Sequence, residues 1–112
     1  MRLSEHQAAF LLDFCKLVQY ATSLGFMVTP GELQRTLEQQ EIYFKKGRSK
    51  TMRSNHIRKL AGDLNFLKDG KLVYSAEELT PLGEYWCALN PLNRWGGNFS
   101  KFKDRPHFER NV

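Results

Sequence analysis

The stretch DLNFLKDGKLVY, residues 63–74, leaves this chain fewer ways to fold than any other part of it. Asp69-Gly70 tolerates the positive φ angles of a type I′ turn, and β-prone runs flank the pair on both sides, which predicts a two-residue hairpin. That turn sets the register, with Lys68 opposite Lys71 and Phe66 opposite Val73. Period-two alternation then puts Leu64, Phe66 and Val73 on one face and Asp63 and Asn65 on the other. One face of the hairpin has to be covered, and the other presents a carboxylate.

Helices are available to do the covering. In LSEHQAAFLLDFCKLVQYATSLG, Ser4 and Gln7 have capping-box spacing, Phe10, Phe14, Leu17, Val18 and Ala21 form an apolar stripe, and Gly25 offers a stop. FMVTPGEL reads as a short strand that Pro30 and Gly31 confine to an edge. RTLEQQEIYFKKG reads as a second helix, capped by Thr36 with Gln39 and ended at Gly47, so Arg35 stands at a strand-to-helix junction. The polar, basic RSKTMRSNH is a loop. SAEELTPLGEYWCALNP carries two helix-start signals, Ser75 with Glu78 and Thr80 before Pro81, then Leu82, Tyr85, Trp86 and Leu89 at helical spacing, and Pro91 to end it. The tail offers a glycine turn and a final extended run in which His107 and Glu109 share one face and Phe108 takes the other.

At 112 residues, with 41% hydrophobic content, the chain has material for one core, so residues 1–112 are expected to form a single domain. No apolar run approaches the ~20 residues of a membrane-spanning helix, so membrane insertion is not expected. The N-terminus lacks the layout of a secretory signal, so the chain is expected to be made in a cytoplasm without a signal peptide. Cys15 and Cys87 lie in apolar helical patterns and are expected to be buried free thiols. A net charge of +5 and a pI near 9.4 favour an anionic partner: nucleic acid, anionic lipid or bacterial wall polymer.

SNHIRKLAGDL places His56 seven residues before Asp63, and the tail adds His107 with Asp104 three residues ahead of it. Two imidazoles and a carboxylate are the donor set of a catalytic zinc site, which leaves a fourth position for solvent. Asp104 is then the candidate to move a proton. On spacing alone the plainer reading outweighs this one: a loop histidine at His56 and a half-buried strand histidine at His107. His6, in the first turn of a helix, is expected to be solvent-exposed.

These residues resemble a known family. SNHIRKLAGDL is similar to the Ser-x-His-x₆-Asp motif of the VanY-like zinc D-alanyl-D-alanine carboxypeptidases and L-alanyl-D-glutamate endopeptidases, a family that includes bacteriophage endolysins. RWGGNFSKFKDRPHFE resembles its closing Trp-Gly-Gly…Asp-x-Pro-His-Phe-Glu motif, and GELQRTLEQQEIYFKKGRSKTMRSNH its upstream Gly-Glu-x-x-Arg-Thr-x-Glu-Gln-Gln stretch. The likeness runs from about residue 24 to residue 109, with three motifs in order, and it reverses the balance against the plainer reading.

The resemblance implies Zn2+ held by His56, Asp63 and His107, with Asp104 as catalytic acid/base and Arg35 near the substrate, binding a carboxylate or steadying the oxyanion. Ser54 and Glu109 fall at positions suited to orienting the ligands. Arg35 has a plainer alternative, a surface ion pair with Glu32 or Glu38. Trp95, Gly96 and Gly97 are expected to shape the loop that presents Asp104, with Trp95 and Phe99 as core aromatics. The run Lys45, Lys46, Arg48, Lys50 and Arg53 either solvates a loop or draws in anionic wall polymer. Three positions depart from the family: Lys59 stands where glycine is usual, Leu37 replaces a helix-initiating proline, and Asn98-Phe99 replace a frequent Asp-Trp.

The expected fold is α+β, Hedgehog/D,D-peptidase-like: a small antiparallel sheet with helices packed on one face and the zinc site on the other. The expected function is zinc-dependent hydrolysis of a peptide bond in the peptidoglycan stem peptide by a monomeric, phage-lysin-type enzyme. It would be made in the host cytoplasm and act on the cell wall after release through a separate membrane pore. Two rivals remain open: a basic nucleic-acid-binding module, and a zinc-containing wall-binding protein without turnover.

Overall fold

The hairpin forms as its turn chemistry dictates. In the computed structural model, which describes residues 1–33, 36–47, 54–101 and 103–112, Asp69 and Gly70 have φ of 51° and 74°. Lys68 pairs with Lys71, and the Val73 amide donates to the Phe66 carbonyl at 2.8 Å. The longer arm is strand β2, Ala61–Lys68, and the shorter is β3, Lys71–Leu72. Strand β1, Met27–Pro30, lies along one margin of β2. Strand β5, His107–Arg110, pairs with the first residues of β2, and strand β4, Asn93–Trp95, closes the far side. The sheet order is β1-β2-β5-β4, all pairs antiparallel, with β3 against the distal end of β2.

Helix α1, Leu3–Ser23, buries Phe10, Phe14, Leu17 and Ala21, the stripe that its spacing predicts. It begins earlier than the Ser4–Gln7 capping box would allow: the Arg2 amide donates to the Glu5 carboxylate at 3.1 Å, which makes Arg2 the cap. His6, in the first turn, is half-buried and accepts a hydrogen bond from Arg110 Nε of β5 at 3.1 Å, correcting the expectation that it is solvent-exposed. Helix α2, Leu37–Lys45, starts at Thr36, whose side chain accepts from the Gln39 amide. Helix α3, Ala76–Leu89, uses the Ser75 cap and carries Pro81 inside.

α1 and α3 cover the face of the sheet that presents Leu64, Phe66 and Phe108. Trp86 sits at the centre, fully buried, edge-on to Phe10, Phe14 and Phe108. Its indole N–H is shared between the carbonyls of Arg94 and Glu109, tying α3 to β4 and β5. Close approach requires glycine twice here. A Cβ on Gly62 would come within 2.6 Å of the Phe14 ring, and one on Gly83 would overlap the Trp95 indole. The two cysteines are free, as expected, but Cys15 is exposed and Cys87 only half-buried. Cys15 lies on the outer face of α1 with exposed Leu11 and Leu12, and Cys87 only flanks the core. Among the described residues no helix is long and apolar enough to cross a membrane.

Lys59, where the family pattern has glycine, adopts φ of 58°. A side chain in this left-handed region costs about 1–2 kcal/mol, and glycine gives back part of any relief as unfolded-chain entropy, about 0.5–1 kcal/mol. Lys59→Gly should therefore raise stability by about 0.5–1 kcal/mol, read as a higher urea midpoint. A lower midpoint would mean that the lysine side chain makes a compensating contact.

Candidate metal centre

The sheet alternation that buries Phe108 turns His107 and Glu109 to the opposite face, and the β2–β5 register sets Asp63 directly across from His107. Asp63 is held along its backbone from both sides. Its carbonyl accepts from the Gly31 amide at 2.7 Å and its amide donates to the Glu32 carbonyl at 2.8 Å, while β5 occupies the other margin. His56 arrives from outside the sheet. The turn that precedes β2 closes with Leu60 N–H on the Asn55 carbonyl at 2.9 Å, and Ser54 Oγ accepts from the His56 amide at 3.2 Å. Lys59, at its left-handed φ, lets that turn reverse before β2 begins.

Three donor atoms meet there. His56 Nε2 lies 3.1 Å from His107 Nδ1, and each nitrogen lies 3.3 Å from Asp63 Oδ1. Four tetrahedral ligands held about 2.0–2.1 Å from a zinc ion stand about 3.3 Å from one another, so the triangle has the edge length of a tetrahedral site. The set is one carboxylate and two imidazoles, and it could hold a metal ion. His56 and His107 are buried, and Asp63 keeps 23% of its side-chain surface, so the open side of the triangle lies along the carboxylate.

Once the His107 ring is neutral, its surroundings favour a bare lone pair at Nδ1. Glu109 Oε1 lies 2.6 Å from His107 Nε2, and Arg94 donates to Glu109 Oε2 from Nε at 2.8 Å and Nη2 at 2.5 Å. A carboxylate so held accepts the Nε2 proton, which leaves Nδ1 of the neutral ring unprotonated and aimed at the cluster. Nδ1 of His56 is buried with no partner among the described residues.

Charge is tightly coupled in the metal-free site. Burial opposes ionisation of Asp63, yet hydrogen bonds from His107 and His56 hold its carboxyl well below the usual carboxylate range. Burial also works against a charged His107, but the carboxylates of Asp63 and Glu109 push its pKa up to about 9. Glu109 is lowered too, burial notwithstanding, by His107 and Arg94.

Asp104 lies in the turn entering β5. Its amide donates to the Gly96 carbonyl at 2.9 Å and its carbonyl accepts from the His107 amide at 3.0 Å, so the backbone of the turn is braced at both ends. Gly96 has no room for a side chain there, and the Trp95 indole N–H binds the Arg105 carbonyl at 2.8 Å. Trp95 is core, as expected. Phe99 is not: it is half-buried, 5.9 Å from the His107 ring, with the Arg94 guanidinium 5.6 Å from its centroid. The 3-10 turn Gly96–Asn98 carries it away from the helices and towards the site. Arg35, and Arg48, Lys50 and Arg53 of the basic run, lie outside the described residues. Sequence reasoning missed Arg94. Its only signal is its position in β4, directly across from Glu109.

The D-alanyl-D-alanine carboxypeptidase family matches residues 47–110. Over 97 residues the chain is 33% identical to an L-alanyl-D-glutamate peptidase of Listeria phage A118, a match that takes in 86% of this chain and 34% of the relative. The chain thus spans about a third of that relative's length. The crystal structure of the Serratia marcescens L-Ala D-Glu endopeptidase ChiX has the same fold, with a TM-score of 0.72 over 99% of this chain and 87% of that one at 21% identity. The matched residues take in His56, all of β2 and all of β5, and the chain belongs to the VanY-like D-alanyl-D-alanine carboxypeptidase family.

Proposed function

We propose that this chain, acting as a single domain, is a zinc-dependent peptidase that hydrolyses a peptide bond in the stem peptide of peptidoglycan. The observation that carries the reading is the His56–Asp63–His107 triangle, whose edges of 3.1–3.3 Å suit a tetrahedral ion. In it, His56, Asp63 and His107 hold the zinc. The ion, when bound, acts as a Lewis acid toward water and the scissile carbonyl. The Asp104 carboxylate takes a proton from the attacking water and delivers it to the amine nitrogen as the carbon–nitrogen bond breaks. Arg35, on the family likeness of its sequence stretch, steadies the oxyanion. Glu109 and Ser54 orient the donors: Glu109 accepts from His107 Nε2, and Ser54 accepts from the His56 amide. The names borne by the phage relative and by ChiX favour the L-alanyl–D-glutamyl bond; the family's own description favours the D-alanyl–D-alanine bond.

Mass spectrometry of soluble products from purified peptidoglycan tests this reading and identifies the bond. Fragments with a newly freed stem-peptide terminus are expected, lost on chelation and restored by zinc. Fragments that survive chelation would remove the metal from the mechanism. No fragments, together with salt-sensitive DNA binding, would favour the basic nucleic-acid module.

Zinc affinity should also depend on pH in a stated direction. In the metal-free protein His107 holds its proton up to about 9, and the ion must displace it. Affinity should therefore rise with pH, by about tenfold per unit for one displaced proton, and level off above that pKa. Competition with a chromogenic chelator across a pH series measures it. A flat profile would mean that His107 is not a ligand.

A further inference from the structure

The family motifs and the donor triangle leave Arg94 without a role, yet it makes a close ion pair with Glu109 beside the triangle. It stands directly across β4–β5 from Glu109, and its Nε and Nη2 both donate to a single oxygen, Glu109 Oε2, at 2.8 and 2.5 Å. The arrangement divides the carboxylate. Oε2 is taken by the guanidinium, and Oε1 remains for His107 Nε2 at 2.6 Å. The Glu109 side chain is 6% exposed while that of Arg94 is 52% exposed, so the grip reaches from the surface onto a buried acid. The same guanidinium lies over the Phe99 ring, and Phe99 in turn flanks His107. Arg94 therefore touches two of the groups packed around the His107 imidazole, one at its Nε2 edge and one near its ring.

We propose that Arg94 is a positioning residue for the metal centre: by holding Glu109 through a two-donor fork, it keeps His107 turned so that Nδ1 meets the ion. This rests on the zinc reading above. A planar guanidinium sets the orientation of a carboxylate in a way that a lysine ammonium, a point charge on a flexible stem, does not. Simple charge would act in the opposite direction, since removing a cation beside a dication site should tighten metal binding. The two effects can be told apart by sign.

The experiment is zinc affinity, measured with the metal alone in competition with a chromogenic chelator, for wild type, Arg94→Ala, Arg94→Lys, Glu109→Gln and the Arg94→Ala/Glu109→Gln double variant. Circular dichroism of each metal-free protein checks that it is folded. Outer partners of metal-bound histidines are worth about 10- to 100-fold in affinity, and Arg94→Ala is expected at the lower end, about tenfold weaker. Arg94→Lys should stay close to the alanine variant. The alanine change should add nothing in the Glu109→Gln background, because Arg94 acts through Glu109. Unchanged or tighter binding in Arg94→Ala, full rescue by lysine, or additive losses in the double variant would each overturn the assignment. A wild-type protein that binds no zinc would instead bring down the metal reading itself, before Arg94 comes into question.

Discussion

Asp104→Ala is expected, on the zinc-peptidase reading, to bind zinc as wild type does and to lose hydrolysis by about 10²- to 10⁴-fold, the contribution of a positioned general acid or base. Asp104 is not one of the three clustered donors. Its backbone is secured independently of its carboxylate, by Gly96 on one side and His107 on the other. Truncation should therefore remove the proton carrier and leave the turn in place. Metal analysis beside the rate of fragment release decides the matter. Loss of zinc together with activity would make Asp104 part of the metal's support. Retention of both would move the acid/base role to another group.

Gly96→Ala should be the most damaging single methyl group in this chain. An added Cβ would collide with the Asp104 carbonyl oxygen and come within 3.0 Å of His107 Cβ. The obstacle is backbone, and it cannot withdraw without breaking the Asp104–Gly96 and His107–Asp104 hydrogen bonds. Overpacking of this kind costs about 3 kcal/mol, a fall of roughly 10–25 °C in melting temperature for a domain of this size. Zinc affinity should fall with it, since the strand that carries His107 is displaced. A variant with the wild-type melting temperature would show that the turn has an alternative path.

The parts of the fold that could be read from the chain are those decided by neighbouring residues. Asp69-Gly70 dictates its turn without help from the rest of the protein, and alternation from that turn puts Phe66 in the core and Asp63 on the far face. The α1 stripe was legible for the same reason. Its start was not: Ser4 has the better capping chemistry, but Arg2 caps the helix, and His6 in its first turn meets Arg110, a contact with the opposite end of the chain. β4 has three residues, too few to show a period, and exists because β5 is there to pair with. Its Arg94 therefore carried no local signal, and neither did the exit of Phe99 from the core. His56 illustrates the middle case. Motif spacing names it, but what carries it to Asp63 is the reversal at Lys59, a left-handed residue where the family pattern has glycine.

The margins of the sheet have a consequence for behaviour at high concentration. Along one side runs β1, four residues ending in a proline with no N–H to offer; along the other runs β4, with three. Neither presents the long unsatisfied row of amides and carbonyls on which a second copy could zip. With like net charge on every molecule besides, crowding should leave such copies dispersed rather than fibrous.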